Sequence, residues 1–204
     1  MIAIIDYGAG NIGSIANMLR RLGEPALITS NPDDIKKAHK LILPGVGNFD
    51  YGMSKLHESG LVEILNQKVL EDKTPILGIC LGAQLMTQKS EEGKMTGFGW
   101  FDAEVKKFSF HDEQIGLRIP HMGWNYVTVR KESLLTKDLP AEPKFYFVHS
   151  YYLKPNNSED ILMTTNYGYD FASVLNHHHI YAVQFHPEKS HKYGLKIFQN
   201  FLLI

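Results

Sequence analysis

Cys80 is the single cysteine among 204 residues, and it stands between two glycines in Gly78-Ile79-Cys80-Leu81-Gly82. The run Pro75 to Ile79 before it is apolar, and the residues after it have helical spacing, so the cysteine falls on a strand-to-helix join. That is the layout of a hydrolase nucleophile elbow, with sulfur in place of oxygen. Flanking glycines let neighbouring backbone pass close to a sharply turned residue, which pushes its side chain out over the sheet edge. A sulfur at a helix amino terminus also meets free amides and the positive end of the helix dipole, both of which favour a thiolate. A thiol nucleophile needs a base, and the base needs an orienter. Gln184-Phe185-His186-Pro187-Glu188 follows a late apolar strand. In extended backbone residues i and i+2 share a side, and proline biases the residue before it towards extended conformations. His186 can then face Cys80 while Glu188 holds its tautomer, the division of labour of a triad. Acyl transfer also needs donors for a tetrahedral oxyanion. The small turn Pro44-Gly45-Val46-Gly47 offers the Val46 amide, to act with that of Leu81.

The elements that must position these residues follow from hydropathy rhythm. Met1 to Ile5, Ala26 to Thr29, Lys40 to Leu43 and Pro75 to Ile79 are short apolar runs. They alternate with helical spacing in Ile12-Ile15-Ala16-Leu19-Leu22, in Leu56-Leu61-Ile64-Leu65-Val69, and from Leu81 to about Lys89. Such alternation predicts βαβ units with right-handed crossovers and a parallel sheet covered on both faces. From Trp100 to about Gln184 the chain turns β-rich, over Ala103 to Phe110, Trp124 to Arg130, Phe145 to Leu153, Ile161 to Thr165 and Tyr181 to Gln184, so antiparallel strands are added to the parallel core. A last helix is expected over roughly Lys189 to Leu203. The fold class is α/β, one domain over 1–204, with a mostly parallel, flavodoxin-like central sheet and helices on both faces. About 100 to 200 residues is the usual size of one such domain.

Lys and Arg number 21 against 22 Asp and Glu, a formal charge of −1. No bulk attraction to nucleic acid or an anionic membrane follows from that balance. The unpaired cysteine fits a reducing compartment, and the start lacks a basic signal region, so a cytoplasmic location is expected. Gly8-Ala9-Gly10-Asn11-Ile12-Gly13 satisfies a dinucleotide fingerprint, but the second strand ends at Thr29-Ser30-Asn31 without the acidic residue that would hold a ribose, and Asp33 and Asp34 come late. The glycines read as a tight βα turn, and no cofactor is expected. His177-His178-His179 lacks the flanking ligands of a metal site, because consecutive side chains diverge, and it reads as a solvated turn. A stand-alone cysteine hydrolase and a dinucleotide-binding module are the competing classes.

Taken together, Pro44-Gly45-Val46-Gly47, Gly78 to Gln84 and Gln184 to Ser190 resemble the class I (triad) glutamine amidotransferases. Asp6 to Asn11 and Pro120-His121-Met122-Gly123-Trp124-Asn125 narrow the resemblance to the glutaminase subunits of imidazole glycerol phosphate synthases, and it runs from end to end. The resemblance implies hydrolysis of L-glutamine through a thioester on Cys80, with His186 and Glu188 completing the triad. It implies a glutamine pocket at Gly47, Gln84, Glu92, Ser150 and Tyr151, with Glu91 adjacent to Glu92. It further implies a (β/α)₈ barrel synthase partner docked over a face that takes in Tyr146 and Lys189, in a heterodimer that makes imidazole glycerol phosphate and AICAR in histidine biosynthesis. Pro187 to Gly194 also looks like related glutaminases that supply ammonia for nucleotide-sugar amidation in surface polysaccharide synthesis. His121 and His149 lie in motifs of the resemblance, near the pocket or the partner face, with no proton transfer assigned to either.

Overall fold

The computed structural model describes residues 1–110 and 116–204. In chain order the first half is β1 (Ile2–Ile5), α1 (Ile12–Arg21), β2 (Ala26–Thr29), α2 (Pro32–Lys37), β3 (Lys40–Leu43), α3 (Phe49–Glu58), α4 (Leu61–Asn66), β4 (Ile76–Ile79) and α5 (Leu81–Leu85). The second half is β5 (Lys89–Ser90), β6 (Ala103–Lys107), β7 (His121–Tyr126), β8 (Thr128–Val129), β9 (Lys144–His149), β10 (Tyr151–Pro155), β11 (Ile161–Tyr167), β12 (Tyr169–His177), β13 (Ile180–Val183) and α6 (His191–Leu202). The main sheet runs β2-β1-β3-β4-β13-β12-β10-β6-β5, with β11 and β8 branching from β12. The first five strands in that order pair in parallel, and antiparallel pairing begins at β13 with β12. Strands β7 and β9 form a separate antiparallel ribbon.

The apolar runs are continuous because both faces of the sheet are covered. In β1, Ala3 and Ile5 enter the core under α2, α3 and α4, whereas Ile2 and Ile4 enter the core under α1 and α6. Fully burying an isoleucine side chain such as Ile4 or Ile5 is worth about 1.5–3 kcal/mol relative to exposure. Helix α1 turns Ile15, Met18 and Leu19 inward and ends before Gly23, whose φ of +81° closes the last turn by donating its amide to the Arg20 carbonyl. That left-handed position is one glycine takes without steric cost.

The structure moves several expected boundaries. The helical pattern through Leu56 and Val69 breaks at Gly60, and α4 continues into a π turn over Gln67–Glu71. The helix expected to reach Lys89 stops at Leu85, because Lys89–Ser90 pairs with β6. The strand expected over Phe145 to Leu153 divides at Ser150 into β9 and β10, which lie in different sheets. Helix α6 starts at His191 after a 3₁₀ turn, Pro187–Lys189. Helix α2 and the nine-residue β12 were not legible: α2 is short and polar, and β12 carries Asn, Asp and Ser among its apolar residues.

The glycine motif at the amino terminus packs against the turn after β3. A Cβ at Gly10 would lie 2.9 Å from the Pro44 Cβ, and the Tyr7 hydroxyl donates to the Pro44 carbonyl at 2.6 Å. Asp34 accepts a hydrogen bond from the Thr29 hydroxyl beside the start of α2. His177 contacts Asp160 at 3.0 Å and His179 contacts the Val69 carbonyl at 2.8 Å, so two of the three consecutive histidines tie the β12–β13 turn to the body.

Candidate active site

Strand β4 stays bonded to β13 up to its last residue, with the Cys80 amide donating to the Val183 carbonyl at 2.8 Å. The chain then turns sharply: Cys80 has φ 52° and ψ −109°, a conformation that L residues hold only where the surroundings enforce it. The two flanking glycines are what permit that. A Cβ on Gly82 would overlap the Leu43 carbonyl oxygen, and one on Gly78 would sit 2.9 Å from the Ala83 Cα and 2.7 Å from the Met86 Cε. Helix α5 therefore lies directly against the end of β3, and the elbow is clamped between neighbouring strands. Helix α5 has only five residues and the Cys80 side chain makes no capping hydrogen bond to its amides, so the expected meeting of sulfur and first-turn amides is not formed.

The turn after β3 reaches the same point. A Cβ on Gly45 would come within 2.7 Å of the Gly82 amide nitrogen and of the Tyr7 hydroxyl, so Gly45 is fixed by close approach. Gly47 has φ +106°, and Val46 between these glycines is 44% exposed. Burial and the neighbouring Cys80 hold the Tyr7 hydroxyl protonated, raising its pKa well above the usual tyrosine value.

His186 leaves β13 through Gln184 and Phe185 and is pinned on the β9 ribbon, where its amide donates to the Tyr146 carbonyl at 2.9 Å. The Ser190 hydroxyl donates to the His186 carbonyl at 2.6 Å and accepts the Tyr146 amide at 3.0 Å. His186 Nδ1 lies 2.8 Å from Glu188 Oε1, with both side chains buried. The expectation of an extended His-Pro-Glu segment gives way to a 3₁₀ turn at Pro187–Lys189, which still brings the two side chains together because His186 itself remains extended. His186 Nε2 has no hydrogen-bond partner among the described residues. Burial pushes the imidazole pKa down, but the neighbouring Cys80 and the Glu188 carboxylate outweigh it and bring it up to about 10.

A cavity of about 320 Å³ opens over Cys80 and His186, at the small end of the range for sites that enclose small molecules. Val46, Gly47, Leu81, Gln84, Glu92, Ser150 and Tyr151 all line it. Glu188 stands behind His186 and does not line it. Glu92 and Glu91 are separated clearly: Glu92 lines the cavity and accepts the Phe49 amide at 2.8 Å, whereas Glu91 accepts the Lys107 amide and pairs with Lys106. Gln84 donates from its amide nitrogen both to the Tyr151 carbonyl and to Gln184 Oε1, each at 3.1 Å, so that nitrogen is engaged with the protein. Tyr146 and Lys189 are outside the cavity, with the Lys189 ammonium 5.8 Å from the centre of the Tyr146 ring.

Sequence reasoning did not single out three residues that matter to the wall. Gln184 is fully buried and its amide nitrogen lies 3.8 Å from the Cys80 sulfur. Pro120 and Val148 line the cavity. Their apolar or strand-end character carries no chemical signal. Among the described residues no helix is long and apolar enough to cross a membrane.

The family model described as glutamine amidotransferase class-I matches residues 3–204. Imidazole glycerol phosphate synthase subunit HisH 2 of Methanococcus maripaludis is 53% identical over 202 residues, 99% of this chain and 98% of the relative. The subunit of the same description from Pseudomonas aeruginosa is 45% identical, with the same coverage. A solved glutamine amidotransferase structure superposes with a TM-score of 0.78 at 18% identity, covering 100% of this chain and 98% of that one, which shows the shared fold.

Proposed function

The chain belongs to the class-I glutamine amidotransferases, among the HisH-type subunits, and from that premise we propose that it hydrolyses L-glutamine and passes the ammonia to a (β/α)₈ synthase subunit that forms imidazole glycerol phosphate in histidine biosynthesis. The observation that carries the reading is the single cavity on which Cys80, His186, Glu92, Ser150 and Tyr151 converge, with Glu188 held 2.8 Å behind the imidazole.

The chemistry follows from that geometry. The Cys80 thiolate attacks the side-chain carboxamide carbon, and the amides of Val46 and Leu81 receive the oxyanion. The imidazolium of His186 gives its Nε2 proton to the departing ammonia, leaving a γ-glutamyl thioester. The neutral ring then takes a proton from water, which attacks the thioester and releases glutamate. Glu188 keeps the other ring nitrogen protonated throughout. Glu92, Gln84, Gly47, Ser150 and Tyr151 hold the α-amino and α-carboxylate groups. The released purine precursor, AICAR, belongs to the synthase reaction.

The partner docks over Tyr146 and Lys189. Exposed Met122, Trp124 and Tyr126 on β7 extend that face as an apolar patch. We read the Val46 peptide, on the side of Gly47 where the backbone is not closely packed, as turning when the partner docks, so the isolated chain hydrolyses glutamine weakly and the docked one strongly.

A second reading has support of its own. It rests on the Pro187 to Gly194 segment, which resembles that of a glutaminase serving nucleotide-sugar amidation. One experiment separates the two: the purified chain is mixed with a candidate barrel synthase and its substrate, and product is followed with glutamine or ammonium as nitrogen source. Imidazole glycerol phosphate formed from glutamine supports the first reading. Rapid glutamine hydrolysis with only a sugar-amidating barrel supports the second. Full turnover with no partner rejects both.

A further inference from the structure

His149, which itself lines the cavity, and His121 are buried imidazoles to which the proposed reaction assigns no proton transfer. They face each other across the β7–β9 ribbon, Nδ1 of His121 lying 2.9 Å from Nε2 of His149. His149 Nδ1 is 2.8 Å from the Tyr151 carbonyl, and the Asn125 amide nitrogen is 3.1 Å from His121 Nε2. The protons on this chain are fixed by its ends. A carbonyl can only accept, so His149 donates from Nδ1 and accepts at Nε2. His121 must then donate from Nδ1 and accept at Nε2, where the Asn125 amide donates. Asn125 also donates to the Asn166 carbonyl, and its oxygen accepts the Tyr126 amide. Every polar atom of the two rings is thus satisfied with one proton each.

The surroundings hold the rings in place. His121 stacks on Tyr167 at 4.0 Å and on Phe147 at 4.8 Å, while Phe108, Phe147 and Phe171 enclose His149 at 5.2–5.5 Å between ring centres. The charged or titratable groups facing His149 are His121 and His186, and both disfavour its protonation. A directed polar chain buried among aromatic rings costs stability unless fully satisfied, and when satisfied it specifies one geometry. Its inner end is a carbonyl of the cavity wall, at the point where β9 ends and β10 crosses into the main sheet. That same carbonyl accepts the Gln84 amide from the elbow helix α5.

We propose that His149, held in one tautomer by His121 and Asn125, is a positioning residue that sets the Ser150–Tyr151 wall of the glutamine pocket against the Cys80 elbow. This rests on the glutaminase reading. It predicts an effect on substrate binding rather than on the thiolate–imidazole pair.

Steady-state glutamine hydrolysis by the full chain, with its barrel partner where turnover requires it, tests the proposal. His149→Leu removes the donor to Tyr151, and we expect KM for glutamine to rise about tenfold while kcat stays within about threefold. His149→Asn keeps a donor near the Nδ1 position and should recover most of the lost affinity. If His149→Leu does not fold, His149→Gln, whose donor sits at the Nε2 position instead, takes its place in the comparison with His149→Asn. A KM unchanged in the donor-deleted variant, or Asn no better than it, overturns the proposal. So does a loss confined to kcat. Wild-type protein with no glutaminase activity in the same assay would instead reject the reading on which the proposal rests, so the two failures are distinct.

Discussion

Cys80, the proposed nucleophile, stands at the end of a parallel strand of the main sheet, whereas His186, its proposed base, is tied to the separate antiparallel β7–β9 ribbon, and the parallel and antiparallel sides hold their residues by different physics. On the parallel side, Cys80 and Val46 are placed by backbone fit: Gly45, Gly78 and Gly82 leave out side chains so that β3, α5 and the turn after β3 can touch. On the antiparallel side, His186 is placed by donors and acceptors. Its carbonyl, amide and ring each have a named partner in Ser190, Tyr146 and Glu188. A site made by steric exclusion tolerates no added atom, whereas one made by hydrogen bonds degrades in steps as partners are removed.

Variants on the two sides should therefore behave differently. Removing the sulfur, Cys80→Ala, leaves both halves folded and should lower glutamine hydrolysis by roughly 10⁴-fold or more, while synthesis from added ammonium persists. Measurable turnover from glutamine in that variant would break the assignment of the nucleophile. Glu188→Gln keeps shape but no longer enforces the imidazole tautomer, and activity should fall by roughly 10²- to 10⁴-fold with an almost unchanged melting temperature. If the melting temperature collapses instead, the antiparallel half is as intolerant as the parallel half and the contrast fails.

Gly82→Ala adds one methyl group where a Leu43 carbonyl stands, and it should cost roughly 2–3 kcal/mol in denaturant unfolding together with loss of activity. An Ala variant of wild-type stability would show that the close approach is not essential. The last effect concerns acid stability. An unfolded histidine takes a proton near pH 6.5, whereas burial lowers His149 to about 3 and His121 to about 4. Their contribution is complete above pH 6.5 and is lost as pH falls from there towards 3. Chemical denaturation at pH 7, 6, 5 and 4 measures the slope, and His121→Asn should flatten it. An equal slope in that variant would mean that His121 contributes nothing to acid unfolding.

The same contrast explains how much was readable in advance. Gly78-Ile79-Cys80-Leu81-Gly82 carries its geometry in its own spacing, because a strand, an elbow and a helix are consecutive, so the position of Cys80 followed from local pattern. His186 and Glu188 are two residues apart and were found for the same reason, although a 3₁₀ turn rather than an extended strand joins them. Glu92 and Glu91 are neighbours of identical type, and no sequence rule separates them. The fold does so by turning one towards the amide of Phe49 and the other towards Lys107. The break at Ser150 was also hidden, since Phe145 to Leu153 alternates evenly through a point where two sheets diverge.

The amino-acid sequence by itself determined the parallel α/β core and the elbow and singled out Cys80, His186 and Glu188 as candidates, because these depend on hydrophobic period and on residues close together in the chain. Only the tertiary structure decided that Cys80 meets His186 across 106 positions of sequence, that Gln84 and Gln184 lie side by side, and that two histidines on different strands end on the carbonyl of Tyr151. Those contacts come from strand order and register, which are settled by the packing of the whole sheet and leave no mark in any short stretch of residues.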